Sequence, residues 1–236
     1  MVRKGNLTWA AVLLLTGLAL APILSLGAVL PVSAQNLRSE DLDVQFYRAE
    51  TALKSGASVL EAKARIDRVL TARPNDAEAL KLRSRILMSM DRYDDALRDA
   101  KRAVQLVPSD GEAYVILSEA ARLAGDDHLA VESLDAAAER VMEDAEFHLR
   151  LSWNAALLGH LERSEAYARI ALALDPERAA AYYQLARVFV QRDQLADAAS
   201  TLARGLEQDL LDPVVILSDS LLAPLSTHEQ LDGMLN

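Results

Sequence analysis

The 236-residue chain carries 25 Lys and Arg against 35 Asp and Glu, and the net charge of −10 excludes a general nucleic-acid binder, whose footprint on phosphates must be positive. Hydrophobic residues make up 51% but aromatics only 5%, so alanine and leucine dominate the apolar content, which suits closely packed helices and not a β-sandwich. With no cysteine there is neither a disulfide framework nor a thiolate metal site, and stability must come from packing.

Residues 1–34 differ in composition from the rest. Arg3 and Lys4 are followed by no charged residue until Arg38, and the stretch from Leu7 to Leu30 is apolar. Pro31 breaks it, and Val32-Ser33-Ala34 offers small residues for cleavage before Gln35. This is the layout of a secretory signal peptide. The apolar stretch is also long enough for an uncleaved membrane anchor, since roughly 20 residues span a bilayer. Either way Arg3 and Lys4 stay on the inner side and the remainder is expected outside the cytoplasm. The expected address is a bacterial periplasm or secretion after cleavage near Ala34, with an inner-membrane-anchored form facing the periplasm as the alternative. The membrane enters only through this segment.

After a short linker at 35–42 a repeat begins. Pro74, Pro108, Met142 and Pro176 stand 34 residues apart, and one more step reaches Leu210. The period divides the chain into blocks 43–76, 77–110, 111–144, 145–178 and 179–212. Small residues recur at the eighth place (Ser84, Ser118, Ser152, Ala186) and at the twentieth (Ala62, Ala96, Ala130, Ser164, Ala198). Two antiparallel helices approach closely only where the residues at their crossing are small. Large residues at the fourth place (Phe46, Leu80, Tyr114, Tyr182) and seventh (Leu117, Leu151, Leu185) fill the space between neighbouring blocks. Proline near a block's end stops its second helix, and Asp76 and Asp110 are placed to cap the next one.

These columns, with the turn-and-helix start Asp91-Arg92-Tyr93-Asp94-Asp95-Ala96-Leu97, resemble the tetratricopeptide repeat over about 170 residues. The resemblance implies an all-α fold: a right-handed superhelical solenoid of antiparallel helix pairs, about five repeats long. Glu50 in the small-residue column, the Ser55-Gly56-Ala57-Ser58 turn and Leu210 in place of proline mark the first and last blocks as the most divergent. Residues 213–236 then read as a C-terminal capping segment. Pro213 opens a helix running to Ala223, Pro224 ends it, and Ser226-Thr227-His228-Glu229 forms a capping box for a short final helix through Leu231 and Leu235.

Catalytic and metal-binding signatures are lacking. His128, His148, His160 and His228 are not spaced for a zincin-like site, and Asp94-Asp95 and Asp126-Asp127 do not form an EF-hand ladder. No nucleophile elbow, phosphate loop or dinucleotide fingerprint occurs. The expectation is a protein that is not an enzyme and needs no cofactor or metal.

Function is expected on the inner face instead. In tetratricopeptide arrays the first helices line a channel for peptides, and the matching places bring Lys81, Arg85, Arg122, Arg150 and Arg187 together with Trp153 and Tyr183. Arginine forks bind carboxylates and aromatic rings anchor apolar groups, so an acidic or C-terminal segment of a protein would suit this face. Glu119 and Glu146 are near enough in register to neutralise part of it, and Trp153 has an alternative place between repeats. The asparagine-based carboxylate clamp of chaperone-binding relatives is absent. The resemblance thus implies a protein-interaction adaptor of the cell envelope, or, with the N-terminal segment retained, a membrane-anchored scaffold in an envelope assembly, secretion or cell-wall complex.

Overall fold

The computed structural model describes residues 32–56, 58–140 and 143–235, with side chains from residue 41. Met142, counted above among the block ends, and residues 1–31 of the signal or anchor segment lie outside the described residues. The chain divides into two units, 1–40 and 41–236. The described residues of the first, 32–40, are helical, and so is the stretch 35–42 expected as a linker: it belongs to helix α1, Val32–Ser55.

The second unit is all helix among its described residues. The remaining helices are α2 (Val59–Ala72), α3 (Ala77–Met88), α4 (Tyr93–Leu106), α5 (Gly111–Leu123), α6 (Asp127–Ala138), α7 (Ala145–Leu157), α8 (Leu161–Leu174), α9 (Ala179–Gln191), α10 (Leu195–Glu207) and α11 (Pro213–Ser218). From α3 to α10 each helix packs on the next, which makes a solenoid of antiparallel pairs. Ala49 of α1 shares a core cluster with Ala62 and Ile66 of α2, so the first block adds its own pair.

Three devices repeat with the period. At the eighth place Ser84, Ser118 and Ser152 donate hydrogen bonds to the carbonyls of Ala96, Ala130 and Ser164 at 2.9, 2.7 and 2.8 Å, across the crossing where all six residues are fully buried. At the last place Asp76, Asp110, Asp144 and Asp212 cap the helix that follows; Asp110, for example, accepts from the Glu112 and Ala113 amides. At the fifteenth place Asp91, Gly125, Gly159 and Asp193 have φ of 56°, 81°, 80° and 60°. That left-handed turn reverses the chain within each pair, and glycine or aspartate takes it at least cost.

After α11 the chain follows the expected capping helices only in part. The helix ends at Ser218, where the Ser218 hydroxyl donates back to the Val215 carbonyl and the Asp219 carboxylate takes the Leu221 amide. Such local side-chain bonds compete with helix continuation. Pro224 lies inside a 3-10 turn, Ala223–Leu225, and does not end an α-helix. The last element is likewise a 3-10 turn, Glu229–Leu231, capped by His228 and not by the Ser226 box. Ile216, Leu222, Leu225, Leu231 and Leu235 nonetheless bury in one cluster with Leu185, Phe189 and Leu202 of the fifth block. Among the described residues no helix is long and apolar enough to cross a membrane.

Candidate functional site

The first helices of successive blocks touch, α3 on α5, α5 on α7 and α7 on α9, whereas the second helices make no comparable contact. The first helices therefore form the inner layer; their second and ninth places are at least partly exposed, whereas Lys81, Val115 and Leu149 at the fifth place are buried.

Most of the basic side chains expected there are held by carboxylates of the chain itself. Lys81 is buried, its Nζ 2.6 Å from Asp110 and 2.8 Å from Glu78. Burial alone would lower its pKa, but the hydrogen bonds it donates to Asp110 and Glu78, with their negative charge, outweigh that and carry it upward. Arg150 reaches into the preceding block, pairing with Glu112 and placing Nη2 2.7 Å from Glu119, which also accepts from Asn154 at 3.3 Å. Burial pushes the Glu112 carboxyl up in pKa, and Arg150 offsets this only in part.

Arg187 pairs with Asp219, a residue of the C-terminal segment. The same carboxylate accepts the Tyr183 hydroxyl and the Leu221 amide. Burial raises the pKa of Asp219, but its bonds with Tyr183, Leu221 and Arg187 prevail and hold it below the usual aspartate range. The Arg187 guanidinium also lies 5.5 Å from the centre of the Trp153 ring and 5.7 Å from that of Tyr183. Trp153 is half-buried, packing in part on Leu149, Ala171 and Ala181 while still fronting Arg187.

Thus Trp153, Tyr183 and Arg187 come together in one cluster, Lys81 stands next to Arg85, and Arg150 lies between these two groups. Arg85 and Arg122 carry no ion pair to a described residue. Arg85 lines a cleft of about 170 Å³ with Phe46, Glu50, Glu78 and Glu112. The Arg122 Nε is buried without a hydrogen-bond partner among the described residues.

Two features escaped the sequence reading. The first is Asp219, whose role was signalled by the period itself: residue 213 opens a sixth block, Ile216 falls at its fourth place and Asp219 at its seventh. The second is a charged pocket of about 210 Å³ between the first two pairs, where Lys63, Arg83, Arg92 and Arg98 meet Asp67, Asp95 and Asp99. All four of its cations are ion-paired. Among the described residues no group of three or more His, Asp or Glu side chains converges as a metal site would need.

A family model described as "Tetratricopeptide repeat" matches residues 81–145 and 149–210. Among solved structures, the chain is similar to TTC0263, a thermophilic TPR protein in Thermus thermophilus, at 26% identity and a TM-score of 0.60, covering 72% of this chain and 94% of that one. It is similar at 21% identity and a TM-score of 0.55 to MamA from Desulfovibrio magneticus RS-1, with 72% and 95% covered. YrrB, described as a TPR protein with an unusual peptide-binding site, aligns at 19% identity and a TM-score of 0.51 over 81% and 94%. No curated protein matches the sequence.

Proposed function

We propose that this chain, which belongs to the tetratricopeptide repeat family, is a non-catalytic adaptor of the bacterial cell envelope that holds a segment of another protein on its inner face. Proteins of the family mediate protein–protein interaction, and repeats of this kind stack into extended binding surfaces. One observation supports the site above others. From the fourth block onward, aromatic and apolar side chains at the ligand-facing places, Trp153, Tyr183, Val214 and Leu217, stay partly or wholly uncovered while the core behind them is closed. Uncovered apolar groups beside an arginine are the usual anchors of a protein interface.

An acidic ligand is the narrower reading. It would have to displace Glu78, Asp110, Glu112, Glu119 or Asp219 from three of the five basic side chains, which leaves Arg85 and Arg122 for direct pairing. The test is photo-crosslinking from position 183 in cells, in the parent chain and in an Arg85→Ala, Trp153→Ala, Arg187→Ala triple variant. Loss of the adduct with helicity intact supports the site, and an undiminished adduct removes it.

The location is part of the proposal and rests on Arg3, Lys4 and the apolar run that follows. N-terminal sequencing of the exported protein decides between its two forms. A chain beginning at Gln35 is the soluble periplasmic or secreted adaptor. An intact chain in the membrane fraction is the anchored scaffold of an envelope assembly, favoured by the length of the run from Leu7 to Leu30.

A further inference from the structure

The inner face changes character along the stack. At the second place of the blocks it presents Glu78, Glu112 and Glu146, then Ala180, and in the truncated sixth block Val214. At the fifth place the buried Lys81, Val115 and Leu149 give way to the half-buried Tyr183 and finally to the exposed Leu217. Lys81, Arg150 and Arg187 of the charged part are held by the ion pairs described above. The far end is open and apolar, with Val214, Val215 and Leu217 exposed by 71%, 51% and 52%. Here α9, the turn after α10 and α11 enclose a pocket of about 340 Å³, lined by Ala180, Tyr183, Leu210, Leu211, Asp212 and Val215.

The part of the chain that carries this pocket is acidic. Residues 111–236 hold 22 Asp and Glu against 9 Lys and Arg, a net charge of −13. Asp212 stands on the rim, and Glu177 and Asp209 are exposed within two residues of it or of the lining residue Ala179 or Leu210. Of the nearby cations, Arg178 is paired with Glu146, Arg187 with Asp219 and Arg192 with Glu165, while the exposed Arg204 lies over the Tyr182 ring. An apolar cavity in an acidic surface favours an apolar side chain carried between cations, by desolvation in the pocket and by attraction around it.

We infer that the pocket between α9 and α11 takes a bulky apolar side chain of a partner protein, flanked in that partner by lysine or arginine. This rests on the protein-binding reading above and replaces its acidic ligand with a basic, apolar one. A second copy of the chain would bring a net charge of −10 to a region that is itself acidic, so a different protein is the better occupant.

Three nine-residue peptides test it by methyl NMR on the full exported chain. One has a central phenylalanine with two arginines on each side, the second has alanine at the centre, and the third has aspartates in place of the arginines. The first should shift the methyls of Leu211, Val215 and Ile216, which line the pocket. Each of the other two should bind about tenfold more weakly or worse, as should the first peptide to a Val215→Arg variant, whose surface position spares the fold.

Equal binding of the aspartate peptide, or shifts confined to the surroundings of Arg85 and Arg122, overturns the inference and leaves the groove reading in place. No shift with any probe also overturns it, and the crosslinking from position 183 then decides separately whether the groove reading survives. Concentration-dependent dimerisation that covers these methyls without peptide makes a second copy the occupant and overturns the proposal.

Discussion

Arg83 forks onto Asp99, with Nε 2.6 Å from Oδ2 and Nη2 2.8 Å from Oδ1, while Nη1 reaches Asp67 of the preceding block at 3.2 Å. The three blocks that follow fill this seventh place with Leu117, Leu151 and Leu185, so an ion pair stands in one repeat where the next ones have packing. Breaking a fully buried pair costs about 3–5 kcal/mol. Asp99→Ala should cost less, about 2 kcal/mol, because Arg83 keeps Asp67 and 28% of its side-chain surface remains in water. The double change Arg83→Leu with Asp99→Ser copies the third block, which has Leu117 and Ser133 at these places, and should cost under about 1 kcal/mol. Urea midpoints of the two variants give the comparison, and a double variant less stable than the single one would contradict it.

The serine column makes a second prediction. Ser118 has no exposed surface and donates to the Ala130 carbonyl at 2.7 Å. That carbonyl keeps its helical bond without the serine, so Ser118→Ala should lose only about 1 kcal/mol. Ser118→Val adds volume where two helices cross at their closest and should lose about 1–3 kcal/mol. Thermal melts followed by circular dichroism should rank parent, alanine and valine in that order. A valine variant as stable as the parent would show that the crossing is not close-packed.

The period made most of this architecture legible. Helix pairs, the small residues at their crossings and the aspartate caps at residues 76 and 110 all follow from the order of neighbouring residues, because each block needs only its neighbours to fold. The period also puts the basic and aromatic residues on the first helices, but it does not give their states. Whether Arg150 is a free fork depends on Glu112 and Glu119, 38 and 31 residues away, and such distances compress only when α5 and α7 pack. Asp219 was harder still. It reaches Arg187 because α11 copies one turn and a half of a sixth first helix before local bonds at Ser218 and Asp219 end it, a competition that composition does not reveal.

Two carboxyls on the inner face should respond to pH with opposite sign. Glu112 titrates above the ordinary glutamate value of about 4.3 through burial, so the folded chain holds its proton more tightly than the unfolded one. Its contribution falls as pH rises from about 4 through the raised value, and Glu112→Gln should remove that fall. Asp219 titrates below the ordinary value of about 3.9, so its contribution is present above about 4 and lost as pH drops through the lowered value. Asp219→Asn should remove that loss. Plotted as variant minus parent, unfolding free energy should rise with pH for Glu112→Gln and fall with pH for Asp219→Asn. Slopes of the same sign would mean that one of the two environments is misassigned.

Gly205 separates stability from binding. It stands in α10 where the other blocks have Val69, Ala103, Ala137 and Ala171, all without exposed surface. A Cβ at this position would meet Leu211 at 2.5 Å from Cδ1 and 2.8 Å from Cγ. Gly205→Ala gains about 1 kcal/mol of helix propensity. It also forces the Leu211 side chain to turn, at a cost of about 1–3 kcal/mol for overpacking, so the net change runs from none to a loss of about 2 kcal/mol and the melting temperature should fall by several degrees at most. Leu211 lines the pocket under α11, and its displacement should weaken the arginine-flanked phenylalanine peptide several-fold in the same preparation. Adding Leu211→Ala removes the clash and enlarges the pocket, which should restore apolar access at the expense of the packing that Leu211 supplied. A strongly destabilised Gly205→Ala variant that binds the peptide as the parent does would show that Leu211 supports the fold alone and takes no part in the site.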